Sequence, residues 1–203
     1  MALNKFACLT PTEYRSLLGY RPSKKLQSPK YTSKPKSTYL DWRLKGVVNP
    51  IKDQGQCGSC WAFSAIQTVE SIDCIATGTL LSLSEQSLVD CTFDCFGCSG
   101  GNSYVAISYI VRTQGGKFNL GSDYQYTAVD GKCLFDDYPK YGSVSGYIPI
   151  AEGDEDDLAA KVEKYGPTSV SIDANNWSFQ IYDSGIYEES HCYITAINHS
   201  VGC

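Results

Sequence analysis

A helical spacing of apolar residues follows the first dense part of the chain. From Cys60 to Ala76, apolar side chains recur three or four residues apart, at Ala62, Ala65, Ile66, Val69, Ile72 and Ala76. Side chains at this spacing lie on one face of an α-helix. Gly78 follows, and glycine commonly ends a helix. The pattern predicts a long amphipathic helix that begins near Cys60.

Capping signals predict two short helices. Thr10 is followed by Pro11 and by Glu13, the order of an N-cap, a first helical residue and a capping-box partner. Ser82 and Glu85 repeat the capping-box spacing before an apolar stretch. We therefore expect one helix near the N-terminus and another that begins after Ser82.

Two further helices are predicted at 102–116 and 152–167. The first ends at a pair of glycines, and the second ends at Gly166-Pro167. Acidic residues occupy the first turn of the second helix and lysines its last turn, which matches the helix dipole. This acidic cluster is explained by the dipole and by solvent, without a ligand.

From residue 168 the pattern changes to short runs rich in Val, Ile and Tyr, with turn residues between them. These runs predict strands at 168–174, 179–187 and 192–203. Helices followed by strands indicate an α+β fold with two lobes. A Pro-, Ser- and Lys-rich stretch at 21–38 has no apolar periodicity and indicates an exposed linker, either a plain disordered tail or a cleavable connector.

Composition limits the class of protein. The net charge is −5 and the sequence pI is about 5.0, which disfavours binding to nucleic acid or to anionic lipid. No apolar run approaches the roughly 18 residues of a membrane span. Ten cysteines in 203 residues indicate an oxidising compartment. The chain does not begin with a signal peptide, so we expect it to be incomplete at its start.

The stretch "DQGQCGSCWAFSA" contains two cysteines with different surroundings. Cys60 lies where a Gly-Ser turn meets the predicted long helix, and the free N–H groups there favour a thiolate and lower the thiol pKa. Cys57 lies in the preceding loop, which suits a disulfide. Two structural cysteines, or a metal site completed by the cysteines of 91–98, remain alternatives.

A thiolate nucleophile needs a base, and the chain has two histidines. His191 lies in the polar stretch "EESHCY", which is typical of an exposed loop. His199 lies in an apolar strand context, about 140 residues after Cys60, inside the spacing typical of papain-like enzymes. His199 is therefore the better candidate.

Several segments in order resemble papain-family cysteine proteases, and cathepsin L-like members in particular. The similarity extends from about residue 40 to the end through "DQGQCGSCWAFSA", "LDWRLKGVVNPIKDQG", "LSEQSLVDC", "GCSGG", "DGKC", "YGPTSVSIDA" and "NHSVG". The N-terminal stretch "NKFACLTPTEYRSLLGYR" resembles the last part of an inhibitory propeptide. In it, Cys8 stands where the family pattern has aspartate.

The resemblance implies a role for five residues of the catalytic cleft. Cys60 is the nucleophile and His199 its ion-pair partner, while Gln54 donates its side-chain amide to the oxyanion. Gly100 and Gly101 form a backbone edge that pairs with extended substrate. The family's third catalytic residue, an asparagine in an Asn-Ser-Trp-Gly segment, is absent from this sequence.

The resemblance also implies a specificity pocket and a set of disulfides. Ser171, Ile197 and Ser200 are placed at the pocket for the substrate residue P2, which predicts an apolar preference. The implied disulfides are Cys57–Cys98 and Cys91–Cys133, and Cys74–Cys95 is a further predicted pair.

The expected architecture is a papain-like two-lobe fold, helical over about 47–145 and β-rich from about 146, with the right lobe incomplete. Residues 1–36 are expected to be a propeptide remnant with its linker, and 37–203 the peptidase domain. The expected function of the parent enzyme is that of a lysosomal or secreted, monomeric cysteine endopeptidase. This enzyme would act on proteins and peptides, be inhibited by cystatin-like proteins and need no cofactor or metal. The 203-residue chain itself is expected to have little or no peptidase activity, because the asparagine that orients the histidine and the partner strands of 192–203 are absent from the sequence. A truncated paralogue that binds peptides or inhibitors without cleaving, or a non-functional fragment, are the alternatives.

Overall fold

Helices come first and strands last in the part of the chain that the computed structural model describes, residues 4–23, 34, 37–193 and 195–203. The α-helices are α1 (Pro11–Ser16), α2 (Cys60–Thr77), α3 (Glu85–Cys91), α4 (Ser103–Thr113), α5 (Glu155–Tyr165) and α6 (Trp177–Gln180). The strands are β1 (Ser169–Ile172) and β2 (His199–Gly202), and short 3-10 helices lie at Trp42–Lys45, Gly97–Ser99 and Phe135–Asp137. The order confirms the predicted α+β class. Most of the predicted linker lies outside the described residues.

Helix α2 lies at the centre of the helical part and confirms the helix that the apolar spacing predicted. Its buried face packs against α3 and α4 in one core, whose members include Trp61, Ala62, Ala65, Ile66, Val69, Leu88, Ala106, Ile110 and Phe118. Each large side chain buried in this way contributes about 1.5–3 kcal/mol. The helix ends at Gly78, which takes the left-handed conformation with φ 77°. Ile72, at the edge of the predicted face, is 40% exposed.

Two predicted helix boundaries are corrected. Helix α3 is capped by Ser84, whose side chain accepts from the Ser87 N–H, and not by Ser82. Ser82 lies before the helix, where Leu83 forms an antiparallel bridge with Leu120 and the Ser82 carbonyl accepts from the Gly121 N–H. Helix α4 ends at Thr113, before the predicted glycines. The capping box of α1 and the dipole-matched charges of α5 are confirmed.

The β part is smaller than predicted. β1 and β2 pair antiparallel, with Ile172 opposite His199 and Ser171 opposite Ser200. The predicted strand 179–187 is wrong, since α6 covers its start and the rest is irregular. Its aromatic residues pack on each other across a loop, as Phe179 and Tyr187 do with ring centroids 5.2 Å apart.

The two disulfides implied by the resemblance are confirmed. Cys57–Cys98 and Cys91–Cys133 have Cα–Cα distances of 4.6 and 4.8 Å. The predicted Cys74–Cys95 pair is wrong, because both cysteines are free. Cys95 packs in the core beside Trp61, and Cys74 lies more than three turns further along α2.

Candidate functional site

The Cys60 thiol lies at the first residue of α2 and is almost fully buried, at 1% exposure. Burial raises the pKa of this thiol. Backbone N–H groups of Ser200, Gly19, Trp61 and Cys60 itself act in the opposite direction and lower it. The predicted lowering by the helix N-terminus is therefore present, but burial outweighs it and the prediction of a lowered pKa is wrong for this structure.

His199 is the first residue of β2, which packs against α2. Burial lowers the pKa of its imidazole to about 4. Its Nδ1 atom is buried and makes no hydrogen bond, and the ring lies edge-on to Phe179 with centroids 6.4 Å apart. The described residues include no hydrogen bond between the Cys60 thiol and His199. Both groups are therefore held in their neutral forms.

Gln54 lies beside Cys60 with its side-chain amide already bonded. Its Nε2 donates to the carbonyl oxygens of Cys57 and Leu17, both at 2.8 Å. Leu17 belongs to the N-terminal stretch, so the predicted oxyanion donor is occupied by a main-chain carbonyl of the same molecule. A peptide carbonyl is the group that this amide would meet in a substrate.

Residues 17–21, here termed the covering segment, run along the predicted substrate edge. The N–H of Gly101 donates to Gly19 O at 2.8 Å, and the N–H of Arg21 donates to Gly101 O at 2.7 Å. Tyr20 and Gly101 form a parallel bridge. A β-carbon on Gly100 would lie 2.6 Å from Gly19 O, so a side chain there would block this approach.

The covering segment contacts both sides of the site. On the helical side the Arg21 guanidinium donates to Ser99 O at 2.7 and 3.0 Å. On the other side the N–H of Tyr20 donates to Asn198 O at 3.0 Å. Gly19 lies so close to Gly58 that a β-carbon would be 1.7 Å from its carbonyl oxygen. The segment therefore crosses directly over Cys60.

Upstream anchors hold the same stretch in place. The Lys5 ammonium pairs with Asp53 at 2.5 Å. Gln180 donates through Nε2 to Phe6 O at 2.6 Å, and Asn4 donates to Gln180 O at 2.9 Å. The sequence offered no signal for this use of Gln180, because glutamine in an amphipathic stretch is usually solvated.

The predicted P2 pocket residues lie on the β part. Ser171 and Ser200 are opposite each other, with their Oγ atoms 3.5 Å apart, and Ile197 is half-buried. The Asn198 side chain accepts from the Ala174 N–H, so it is committed to the backbone. His191 is exposed and bonds to its neighbours Ser190 and Glu189, as its sequence context predicted.

The metal alternative does not fit this site. Cys57, Cys91 and Cys98 are all used in disulfides. The described residues contain no group of three or more His, Cys, Asp or Glu side chains that could hold a metal ion. Nor does any helix in this part of the chain combine the length and the apolarity needed to cross a bilayer.

Comparisons with known proteins identify the family of the chain. Residues 36–203 match the family model described as papain family cysteine protease. The chain belongs to this family. Digestive cysteine proteinase 2 of Homarus americanus is 41% identical over 99% of this chain and 64% of its own length, and human cathepsin L2 is 40% identical over 99% and 61%. The chain therefore spans less than two thirds of these relatives.

Solved structures of papain-family proenzymes also match. A digestive procathepsin L 3 from the larval midgut of Tenebrio molitor has a TM-score of 0.87 at 35% identity, covering 99% of this chain and 66% of that chain. The recombinant stem bromelain precursor has a TM-score of 0.86 at 34% identity, covering 100% and 65%. These matches confirm the papain-like fold that the sequence resemblance implied.

One feature of the site was missed by sequence reasoning. The Tyr126 hydroxyl donates to Gln54 O at 2.7 Å and is bonded to Ser59 Oγ at 2.6 Å. Tyr126 lies more than sixty residues from both partners, and only the fold brings it behind the nucleophile.

Proposed function

We propose that the protein acts as a cysteine endopeptidase in which Cys60 is the nucleophile, His199 the acid–base group and Gln54 an oxyanion donor. The Cys60 thiolate attacks the scissile carbonyl, and the carbonyl oxygen takes up negative charge between the Gln54 amide and the Cys60 N–H. His199 then gives its proton to the leaving amine as the C–N bond breaks. A water, deprotonated by His199, attacks the thioester, and collapse of the tetrahedral intermediate releases the acid and regenerates the Cys60 thiolate beside protonated His199.

One observation carries this proposal. The protein's own main chain lies across Cys60 with a carbonyl on Gln54 and a two-way pairing on Gly101. A site that already binds extended peptide backbone next to a thiol at a helix N-terminus has the components of peptide hydrolysis. Family membership supports the same reaction.

We further propose that residues 1–36 are the remnant of an inhibitory propeptide with its linker, and that 37–203 form the peptidase domain. The covering segment lies over Cys60 through Gly19, and its Tyr20 N–H donates to the carbonyl of Asn198, the residue before the buried His199 ring. Burial disfavours the charged form of each group, so the thiolate–imidazolium pair is suppressed while the segment is bound. Cleavage in the linker 21–38 would hydrate the site and allow the pair to form.

Substrate choice follows from the P2 pocket. Ser171, Ile197 and Ser200 carry no charge, which supports an apolar P2 residue in protein and peptide substrates. A solved family structure, the Carica candamarcensis protease CMS1MS2, is described in complex with E-64, which supports inhibition of this chain by the same compound. Inhibition by cystatin-like proteins, a monomeric state and a lysosomal or secreted location are proposed from the family and from the two disulfides.

Four alanine variants test the catalytic roles after acid processing. Hydrolysis of a peptide with an apolar P2 residue should disappear in C60A, together with labelling by E-64. H199A and Q54A should each lose about 100-fold or more in kcat. H191A is the matched histidine control and should equal the unmodified protein. Hydrolysis that persists in C60A, or that fails equally in H191A, would refute these roles.

A further inference from the structure

Two stretches of the chain match the acceptor sequence for N-linked glycosylation, Asn-x-Ser/Thr with a residue other than proline in the middle. One covers residues 176–178 (Asn-Trp-Ser) and the other residues 198–200 (Asn-His-Ser). The catalytic steps proposed above use neither asparagine. The two disulfides are typical of proteins made in the secretory pathway, where this modification takes place. The structure gives the two asparagines very different surroundings.

Asn176 lies immediately before the short helix α6, on the surface. Its backbone is extended, with φ −72° and ψ 138°, and its side chain makes no capping bond to the helix. The bond that its Nδ2 donates, to His191 O, is 3.3 Å long and exposed, so it contributes little. The next residue, Trp177, is 56% exposed, which leaves the surface beside Asn176 open. A saccharide attached at Nδ2 would therefore extend into solvent.

Asn198 precedes β2 and takes part in three hydrogen bonds. Its N–H donates to Ile172 O, its Oδ1 accepts from the Ala174 N–H, and its main-chain oxygen accepts from the Tyr20 N–H, all at 3.0 Å. Ser200, which supplies the hydroxyl of this acceptor sequence, is 4% exposed. A bulky saccharide on Asn198 would have to displace one of these contacts. A chain modified there is therefore incompatible with this fold.

The Ser178 hydroxyl has a structural use in the folded chain. It donates to Glu189 Oε2 at 2.6 Å and is bonded to the Tyr187 hydroxyl at 2.7 Å. N-linked glycans are added as the chain enters the secretory pathway, before such contacts form, so the hydroxyl is free for recognition at that time. S178A would disturb the loop as well as the acceptor sequence, whereas S178T keeps a hydroxyl for both.

We propose that Asn176 carries an N-linked glycan and that Asn198 does not. In the transfer, Asn176 Nδ2 forms a bond to C1 of an N-acetylglucosamine while the bond from that carbon to a lipid diphosphate breaks. The amide nitrogen gives one proton to solvent, and the lipid diphosphate is the leaving group. The inference rests on the lysosomal or secreted location proposed above and does not depend on peptidase activity.

The glycan is compatible with the contacts that α6 makes to the rest of the site. At the other end of this helix Gln180 holds the N-terminal stretch through Phe6 O, and the Phe179 ring lies edge-on to His199. Asn176 takes part in neither contact. The saccharide would therefore stand at the His199 side of the cleft and leave the N-terminal stretch bound.

Peptide mapping of the full chain tests the proposal. The chain is secreted from mammalian cells behind a cleavable signal, and peptide N-glycosidase in heavy-oxygen water converts each glycosylated asparagine into labelled aspartate. Mass spectrometry should find the label at residue 176 and unlabelled asparagine at residue 198. In N176Q, the gel shift that deglycosylation causes should disappear. N175Q changes the neighbouring asparagine outside the acceptor sequence and is the matched control that should keep the shift, as should S178T.

Three results would overturn the proposal: no label at residue 176, a label at residue 198 in the secreted protein, or a deglycosylation shift that persists in N176Q. Protein retained in the cells is mapped at residue 176 in the same way, so poor secretion does not remove the test. Failure of the proposed peptidase function would appear separately, as an absence of peptide hydrolysis, and would leave the mapping result unchanged.

Discussion

The helical part carries Cys60 on a helix buried in a large core, whereas the part from residue 146 onward carries His199 on a four-residue strand. Both described disulfides lie in the helical part. In the other part, the buried apolar side chains among the described residues are only those of Ala160 and Ala174. Functional geometry tolerates errors of about 0.5 Å. The position of His199 therefore limits the site more than that of Cys60.

Removing a disulfide of the helical part should cause the largest loss of stability. Replacing both Cys57 and Cys98 by alanine should lower the free energy of unfolding by about 3–4 kcal/mol, because a closed loop of 41 residues gains its freedom in the unfolded chain. Urea denaturation measures the loss. C192A, which removes an exposed free cysteine, is the control and should change stability by less than about 0.5 kcal/mol. Equal stability of the double variant and the control would show that the helical part does not depend on this bond.

One valine in each part allows the stability of the two parts to be compared directly. Val69 on α2 is 3% exposed, and Val170 on β1 is half-buried opposite Val201. V69A should cost about 2–3 kcal/mol, and V170A about 1 kcal/mol, because less apolar surface returns to water. Activity should show the reverse order, since β1 supports the strand of His199. Thermal unfolding measures the loss of stability, and peptide hydrolysis measures the loss of kcat. If the variant that loses more stability also loses more activity, the proposed difference between the two parts is wrong.

Acid should loosen the covering segment through His199. The pKa of about 4 in the covered state lies below the usual value near 6.5, so the folded, covered state loses stability as the pH falls through this window. The pKa values of Glu13 and Asp53 are lowered, so these two carboxylates stay ionised over most of this pH window. Hydrogen exchange of residues 4–21 should rise between about pH 6.5 and 4.

The matched histidines give the controls for this prediction. H199Q cannot gain a proton and should keep the segment bound at pH 4. H191Q changes an exposed ring and should behave like the unmodified protein. Release at the same pH in H199Q would assign the acid response to other groups. The outcome also decides whether acid release can occur with Cys8 in place of the family's aspartate.

Local chemistry explains what could be predicted from sequence. Signals that depend on neighbours a few residues away predicted the correct helices. They are the capping box of Thr10 and Glu13, which begins α1, and the apolar spacing after Cys60, which forms α2. The strand prediction at 179–187 failed because Val, Ile and Tyr enrichment measures fit to a half-buried surface, and here aromatic packing across a loop provides that surface.

Long-range contacts explain what could not be predicted. Burial raises the pKa of Cys60, and the residues around this thiol include Gly19, about forty positions away, which no local rule for helix N-termini includes. The hydrogen bond between Tyr126 and Ser59 likewise exists only in the folded chain. The predicted Cys74–Cys95 pair failed for the same reason, since the distance between them is set by the length of α2.

The most direct measurement asks whether the covering segment suppresses Cys60. A β-carbon on Gly19 would lie 1.7 Å from the carbonyl oxygen of Gly58, and Gly58 is held in place by its N–H, which donates to Cys98 O at 2.9 Å. G19A must therefore lift the segment, whereas G146A adds a methyl group with nothing within 4 Å and is the control. Iodoacetamide labelling of Cys60 at pH 7 should be about tenfold or more faster in G19A, because the rehydrated thiol ionises more readily. Labelling of folded G19A at the rate of G146A would contradict autoinhibition by residues 17–21.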